Sequence, residues 1–222
     1  MIALYLVILS RGQPKSPRLF LFCETVLVVR LRRVIDSQSQ ACDQMNIVLI
    51  GYRCSGKTAV GKILATELGK DLLDTDALIE ENAGCSIETI VSRRGWDHFR
   101  EIEKTLIEEV CRKDNLVIAT GGGVVMDEEN VKNLKRNGWI VWLNGKAEVL
   151  RDRMDKQQRS GKIRPSLTGV DPLEEIKQVL DVRTPLYERT ATLVVDTSTL
   201  SLREVSALIM KSLPKNHMGR MM

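Results

Sequence analysis

The segment VLIGYRCSGKTAVG, residues 48–61, constrains the fold of this 222-residue chain more than any other. An apolar run leads into the spacing Gly51-x4-Gly56-Lys57-Thr58. Beyond it, apolar residues recur at the three-to-four spacing of a helix: Val60, Ile63, Leu64 and Leu68. The pattern predicts a strand that turns through glycines into a helix.

In that context the spacing is a phosphate-binding loop, the Walker A motif. Its glycines let backbone amides turn toward one point, and the start of the helix adds positive potential there. Lys57 can reach the outer phosphates of a nucleoside triphosphate, and the Thr58 hydroxyl can ligate Mg²⁺. A plain glycine turn would leave Lys57 unexplained. We therefore predict nucleotide binding by the loop residues Cys54, Ser55, Gly56, Lys57, Thr58 and Ala59.

After this loop, short apolar runs continue to alternate with helical patterns. A second helix is indicated by Phe99, Ile102, Leu106 and Val110, and later helix starts by the capping residues at 171–174 and 201–204. Strands are expected at residues 47–50, 71–73, 116–119, 139–143 and 192–195. This alternation predicts an α/β fold with a five-stranded parallel sheet and helices on both faces. Such sheets bind ligands beyond the carboxyl ends of their strands.

Residues 1–44 differ in kind from the rest of the chain. They contain two apolar runs, of which the first is short for a membrane span and the second carries Glu24 and Arg30. Because Met45 directly precedes the first strand, we expect a domain at 45–213, a tail at 214–222 and an upstream extension that is not part of the natural protein. An added helix or a weak membrane anchor are the alternative interpretations.

Charge and cysteines narrow the class of protein. Residues 1–44 hold six Lys or Arg and three Asp or Glu, which leaves 27 basic against 26 acidic residues for the remainder. With so little excess charge, that part lacks the basic footprint of a nucleic-acid binder. The whole chain has only 4% aromatic residues, so it also has few side chains for stacking on bases. Five cysteines without paired spacing favour neither disulfides nor a zinc site, so a reducing cytoplasm is expected.

Two further strand ends carry residues that suit the binding of a second substrate, one that would accept a phosphate. In LLDTDALIE, Asp74 and Asp76 would lie on the same side of an extended segment, where one carboxylate could orient Mg²⁺ and the other could take a proton. Capping of the next helix is the structural alternative. The third strand ends in ATGGG, whose glycines at 121–123 suit close approach of backbone to a ligand, although a plain loop has the same composition.

Six segments in order, GYRCSGKT, LLDTDALIE, GWDHFREIEK, ATGGG, RPSL and RTPLYERTA, closely resemble those of shikimate kinases. The resemblance covers nearly all of residues 45–213. It implies a P-loop kinase fold with a mobile lid, and transfer of the ATP γ-phosphate to the 3-hydroxyl of shikimate in aromatic amino-acid biosynthesis. ATP and shikimate would be the partners of a monomer that needs neither nucleic acid nor membrane.

The resemblance also implies roles for single residues. Shikimate would be bound by Asp76, Arg100, Gly122, Gly123 and Arg183, with Asp76 also acting as the base. Lys57 and Arg164 would reach the ATP phosphates during catalysis, Arg164 from the lid. Thr58 and Asp74 would hold Mg²⁺. A substrate with a carboxylate and hydroxyls suits guanidinium groups at one end and an acid at the other.

Other interpretations of these residues stay open at this point. Arg100 lies among acids in FREIEK and could form an ordinary surface ion pair, and Arg183 could pair with Asp181 or Glu188. The basic segment 153–171 suits a lid, but a disordered connector has a similar composition. The competing functions are a gluconate or nucleoside monophosphate kinase and a nucleotide-gated module without catalysis.

Overall fold

The structure is a computed structural model that describes residues 45–159 and 171–214. The predicted extension at 1–44, Arg164 in the predicted lid and nearly all of the predicted tail lie outside these residues. Within the described residues no helix is both long and apolar enough to cross a membrane.

The described residues form five strands and seven α-helices, with a short 3₁₀ helix at Val124–Met126. The strands are β1 Asn46–Ile50, β2 Asp71–Asp74, β3 Leu116–Ala119, β4 Gly138–Asn144 and β5 Leu193–Asp196. The helices are α1 Lys57–Leu68, α2 Thr75–Ala83, α3 Ile87–Val110, α4 Glu128–Asn137, α5 Ala147–Arg159, α6 Pro172–Thr190 and α7 Leu202–Ser212. The five predicted strands are confirmed, each within one residue at either end.

All strand pairs are parallel, and the order across the sheet is β2-β3-β1-β4-β5. β1 therefore lies at the centre, with Leu49 beside Ala119 of β3 and Val141 of β4. Because the strands are parallel, the segments that follow β1, β2 and β3 all leave the same edge of the sheet. This edge brings together the phosphate loop, the two aspartates and the glycine segment.

Alternate residues of β1 face opposite layers of helices. Ile47 and Leu49 pack with α1 and α7, where the buried partners include Val60 and Ile209. Val48 and Ile50 face the opposite layer, which is formed by α3, α4 and α6. They belong to a buried cluster that includes Ile107, Leu134 and Tyr187. Both faces of the sheet are covered, as predicted, and the buried β1 forms a rigid base for the loop that follows it.

Capping residues define several helix starts. Asp171 accepts hydrogen bonds from the amides of Leu173 and Glu174, with Pro172 as the first residue of α6. Ser201 and Glu204 form the expected capping box of α7. These caps satisfy amides that a helix start leaves without partners.

The predicted loop at 153–171 is wrong for its first part. Residues 153–159 continue α5, which ends at Arg159, and Asp171 caps α6. The polar side chains of this stretch are compatible with an exposed helix, and composition alone does not separate the two. Residues 160–170 lie outside the described residues, so the lid itself stays a prediction.

Candidate active site

The phosphate loop adopts the backbone conformation that its glycines permit. Gly51 has φ 138° and Gly56 has φ 101°, both in the region that favours glycine. A Cβ on Gly51 would lie 2.5 Å from the carbonyl oxygen of Leu143 in β4. Cys54 also has a positive φ, 62°, and its Sγ lies 3.3 Å from Oε1 of Gln157 on α5. The loop is therefore shaped by its own backbone and by contact with the neighbouring strand.

Lys57 is held inside the loop. Its Nζ donates hydrogen bonds to the carbonyl oxygens of Gly51 and Tyr52, both at 2.8 Å, and the residue is 9% exposed. An ammonium group placed at the centre of a turn of backbone amides supplies positive charge where phosphate oxygens would lie.

Thr58 and Asp74 meet at the ends of α1 and β2. Thr58 Oγ1 donates a hydrogen bond of 2.6 Å to Asp74 Oδ2, and the other carboxylate oxygen of Asp74 caps α2 by accepting from the amides of Asp76 and Ala77. Asp74 therefore caps a helix, as the structural alternative predicted, and its second carboxylate oxygen faces the phosphate loop; its metal role stays a prediction.

The expectation of an extended DTD segment is wrong. Asp74 ends β2, whereas Asp76 lies in the first turn of α2. The capping bonds of Asp74 turn the chain into a helix immediately, so the two carboxylates point to different neighbours. Asp74 faces Thr58, and Asp76 faces the glycine segment after β3.

The hydroxyl of Thr58 and the carboxylate of Asp74 fit Mg²⁺. Both are oxygen donors, which Mg²⁺ prefers, and their contact places them within reach of a single ion. Mg²⁺ in kinases is usually held by one or two protein oxygens together with substrate phosphates and water. Residues 45–159 and 171–214 contain no group of three or more acidic, histidine or cysteine side chains arranged for a metal.

The glycine segment after β3 is held between the phosphate loop and the acids. The amide of Gly121 donates to Oγ1 of the buried Thr75 at 3.0 Å. A Cβ on Gly121 would lie 2.6 Å from Glu103 Oε1 and 2.9 Å from Asp76 Oδ1. A side chain at this position would displace both carboxylates, so glycine permits them to approach the backbone.

Arg100 lies against the last glycine of this segment. A Cβ on Gly123 would overlap the guanidinium group of Arg100. That group donates to Glu103 Oε2 at 2.5 Å and lies 5.1 Å from the ring centre of Phe99 and 5.7 Å from that of Trp96. Arg100 does form an intrahelical ion pair, but with a carboxylate that is only 1% exposed.

Arg183 approaches the same segment from α6. Its Nη1 donates to the carbonyl oxygen of Gly122 at 3.1 Å, and the hydroxyl of Tyr187 donates to the same oxygen at 2.5 Å. Within the described residues Arg183 forms no ion pair with Asp181 or Glu188. Burial raises the pKa of Tyr187 to about 12, so its hydroxyl remains a donor.

Glu103 is a site residue that the sequence analysis did not single out. Burial raises the pKa of its carboxyl group, against the effect of Arg100, while the nearby charge of Asp76 raises it further and Arg183 lowers it. Asp76 and Glu103 both face Gly121, and Arg100 binds Glu103, so a buried acid lies among the predicted shikimate-binding side chains. The available signal was its i,i+3 spacing from Arg100 in FREIE.

A further pair that the sequence analysis missed lies just beyond the carboxyl end of β5. Arg153 of α5 donates to the carbonyl and hydroxyl oxygens of Thr197, at 2.6 and 3.1 Å, just beyond β5. These contacts fix α5 to the end of the last strand. Nothing in the spacing of the two residues indicated them.

A protein-family model described as shikimate kinase matches residues 53–214, nearly three quarters of the chain. The chain belongs to the shikimate kinase family. The predicted family is thereby confirmed, and with it the prediction of an ATP-dependent P-loop kinase.

Relatives in this family agree with the match. The shikimate kinase of Symbiobacterium thermophilum is 41% identical over 169 residues, which are 76% of this chain and 96% of that protein. The structure of a shikimate kinase from Acinetobacter baumannii in complex with shikimate has a TM-score of 0.71 and 32% identity, covering 78% of this chain and 95% of its own. A gluconokinase from Sinorhizobium meliloti has a TM-score of 0.51 at 20% identity, which shows a shared fold alone.

Proposed function

We propose that this member of the shikimate kinase family transfers the γ-phosphate of ATP to the 3-hydroxyl of shikimate. The observation that carries the proposal is the pocket around residues 121–123. It places an aspartate and two arginines next to a phosphate-binding loop, as a substrate with hydroxyls and a carboxylate requires.

On the nucleotide side, the loop amides and Lys57 bind and orient the phosphates of ATP. Charge compensation along the β and γ oxygens is what phosphoryl transfer needs most from a protein. Thr58 and Asp74 are the residues that would hold Mg²⁺. When bound, this ion supplies positive charge at the phosphate oxygens. We expect Arg164 to add charge from the lid.

On the acceptor side, Arg100 and Arg183 bind the carboxylate of shikimate, and the backbone of Gly122 and Gly123 lets the ring approach closely. Asp76 accepts the proton of the attacking hydroxyl. This assignment is supported by the orientation of Asp76, which faces the glycine segment while Asp74 faces Thr58. A general base must first lie within hydrogen-bond distance of the proton that it removes, and its pKa matters only after that.

We further propose that residues 45–213 form the catalytic domain and act as a monomer in a reducing cytoplasm. Among the described residues Cys85 and Cys111 are free thiols, which fits such a compartment. Arginines also bind the phosphate of a nucleoside monophosphate, so the acceptors compared must include these nucleotides. Gluconate shares a carboxylate with shikimate, so a direct comparison of acceptors separates these two.

A coupled assay of ADP release tests the function directly. The protein is incubated with MgATP and, in turn, shikimate, gluconate and a panel of nucleoside monophosphates. We expect turnover with shikimate, and ³¹P and ¹H NMR of the product should place the phosphate on the 3-hydroxyl. Turnover only with another acceptor would contradict the proposal. ATP binding without turnover would instead indicate a nucleotide-gated binding module.

A further inference from the structure

A buried ion pair connects the phosphate loop to the helix that carries Arg183. Arg53, a residue of the loop, binds the carboxylate of Glu175 in α6, with Arg53 Nη2 against Glu175 Oε1. The side chains are 10% and 2% exposed. Charges this deeply buried cost free energy to desolvate, and loss of one partner leaves the other uncompensated.

The residue before Arg53 reinforces this connection. Tyr52 is 1% exposed and packs with Leu150 of α5 and Ile176 of α6 in a separate apolar cluster. The guanidinium carbon of Arg53 lies 5.5 Å from the ring centre of Tyr52. Two consecutive loop residues therefore contact α6, one through charge and the other through apolar packing.

The backbone of Arg53 makes a second connection, to the acceptor pocket formed by Asp76, Arg100 and Arg183 around residues 121–123. A Cβ on Gly122 would lie 3.3 Å from the amide nitrogen of Arg53 and 3.4 Å from the carbonyl oxygen of Gly51. The carbonyl oxygen of Gly122 in turn accepts the hydrogen bond from Arg183. Arg53 and Arg183 are therefore connected in two ways. One connection runs from the Arg53 side chain through Glu175 and α6. The other runs from the Arg53 backbone through Gly122, whose carbonyl oxygen binds Arg183.

We propose that Arg53 is a positioning residue for the acceptor: its pairing with Glu175 sets where α6 places Arg183 relative to the phosphate loop. The inference rests on the proposed function and adds a residue to it. The side chain of Arg53 contacts α6, so its effect on the reaction passes through Arg183. In the proposed function Arg183 binds the carboxylate of shikimate, so a pair that fixes α6 near the site governs how well the acceptor binds.

The test compares Arg53→Met, Arg53→Lys, Glu175→Gln and the double variant Arg53→Met with Glu175→Gln. Arg112→Met, which breaks an exposed ion pair with Glu108, is the matched control. Steady-state kinetics give kcat and the KM values for shikimate and ATP, and thermal unfolding reports stability separately.

We expect Arg53→Met to raise the KM for shikimate about tenfold, as for loss of a hydrogen bond to a charged group, with the KM for ATP changed by less than about twofold. Arg53→Lys, which keeps the charge, should show a smaller rise. The double variant should be no worse than Arg53→Met, because residues acting through one interaction are not additive. Arg112→Met should match the wild type in both KM values.

A purely structural pair would lower the melting temperature and leave the KM for shikimate unchanged at temperatures where the protein is folded; that result overturns the inference. An ATP-selective effect or additive effects in the double variant would also overturn it. If Arg53→Met does not fold, unchanged shikimate KM values in both Arg53→Lys and Glu175→Gln decide against it. Wild-type protein without shikimate turnover would instead refute the proposed function on which the inference depends.

Discussion

The phosphate loop and the acceptor pocket lie side by side but are built in opposite ways. The loop takes its groups from one continuous segment, Gly51 to Thr58, and most of them are backbone atoms held by local geometry. The pocket takes Asp76, Arg100 and Arg183 from three helices and places them around the glycines after β3. The difference indicates that one site depends on backbone conformation and the other on tertiary packing.

This contrast makes the two sites separable by mutation. Changes to the loop groups that face the phosphates, such as Lys57, should reduce turnover whatever the acceptor concentration. Changes in the pocket should act mainly on shikimate and leave ATP binding intact.

The largest effect is expected from Lys57→Ala. It removes the ammonium group between the loop carbonyls of Gly51 and Tyr52, and with it the charge that compensates the phosphates. Turnover should fall by more than about a thousandfold, measured by the coupled assay. The exposed Lys62→Ala on the same helix is the control and should keep wild-type turnover. A folded Lys57→Ala protein with near-normal activity would refute the nucleotide assignment.

The two aspartates should separate the metal side from the acceptor side. Asp76→Asn keeps the shape but removes the base, so turnover should fall by about a hundredfold or more while ATP still binds. Asp74→Asn weakens the oxygen pair with Thr58, so raising Mg²⁺ should recover part of its activity. Turnover and shikimate affinity of both variants are measured across a Mg²⁺ series. Rescue of Asp76→Asn by metal would reverse the assignment.

Gly123→Ala should affect the acceptor pocket selectively. The new methyl group would overlap the guanidinium of Arg100, the flexible end of a long side chain that can move aside without disturbing the core. We expect the KM for shikimate to rise about tenfold, as for loss of a charge-assisted hydrogen bond, with little change in the KM for ATP. An equal rise in both would show that the glycine segment supports the phosphate loop instead.

The smallest effect concerns stability and Glu103. Burial raises the pKa of this carboxyl above its usual value of 4.5. In the pH range between the pKa of Glu103 in the unfolded chain and its pKa in the folded protein, the folded state therefore binds more protons. The free energy of unfolding contributed by Glu103 must then fall as pH rises through this window, by at most about 1.4 kcal/mol for each pH unit.

Glu103→Gln removes this dependence. We compare the melting temperatures of the wild type and the variant across pH. The melting temperature of the wild type, relative to that of the variant, should be highest near pH 4 and should decrease as pH rises. A difference that grows with pH would show that the ion pair with Arg100 outweighs burial.

Much of the fold follows from the sequence because its signals are local. The phosphate loop is specified by glycine spacing between an apolar run and a helical pattern, and the β1 residues that face the two layers alternate as the strand period requires. The capping residues Ser201 and Glu204 mark the start of α7 in the same local way. Such features depend on backbone geometry within a few residues, so a linear pattern contains them.

Tertiary structure alone decided which charges meet. Arg100 and Arg183 had ordinary surface interpretations, and only the packing of α3 and α6 around residues 121–123 brought both to one pocket. The same packing buried Glu103 beside Asp76 and paired Arg53 with Glu175, which lie 122 residues apart. Contacts across such separations depend on how the helices cover the sheet, and no local pattern of residues encodes that arrangement.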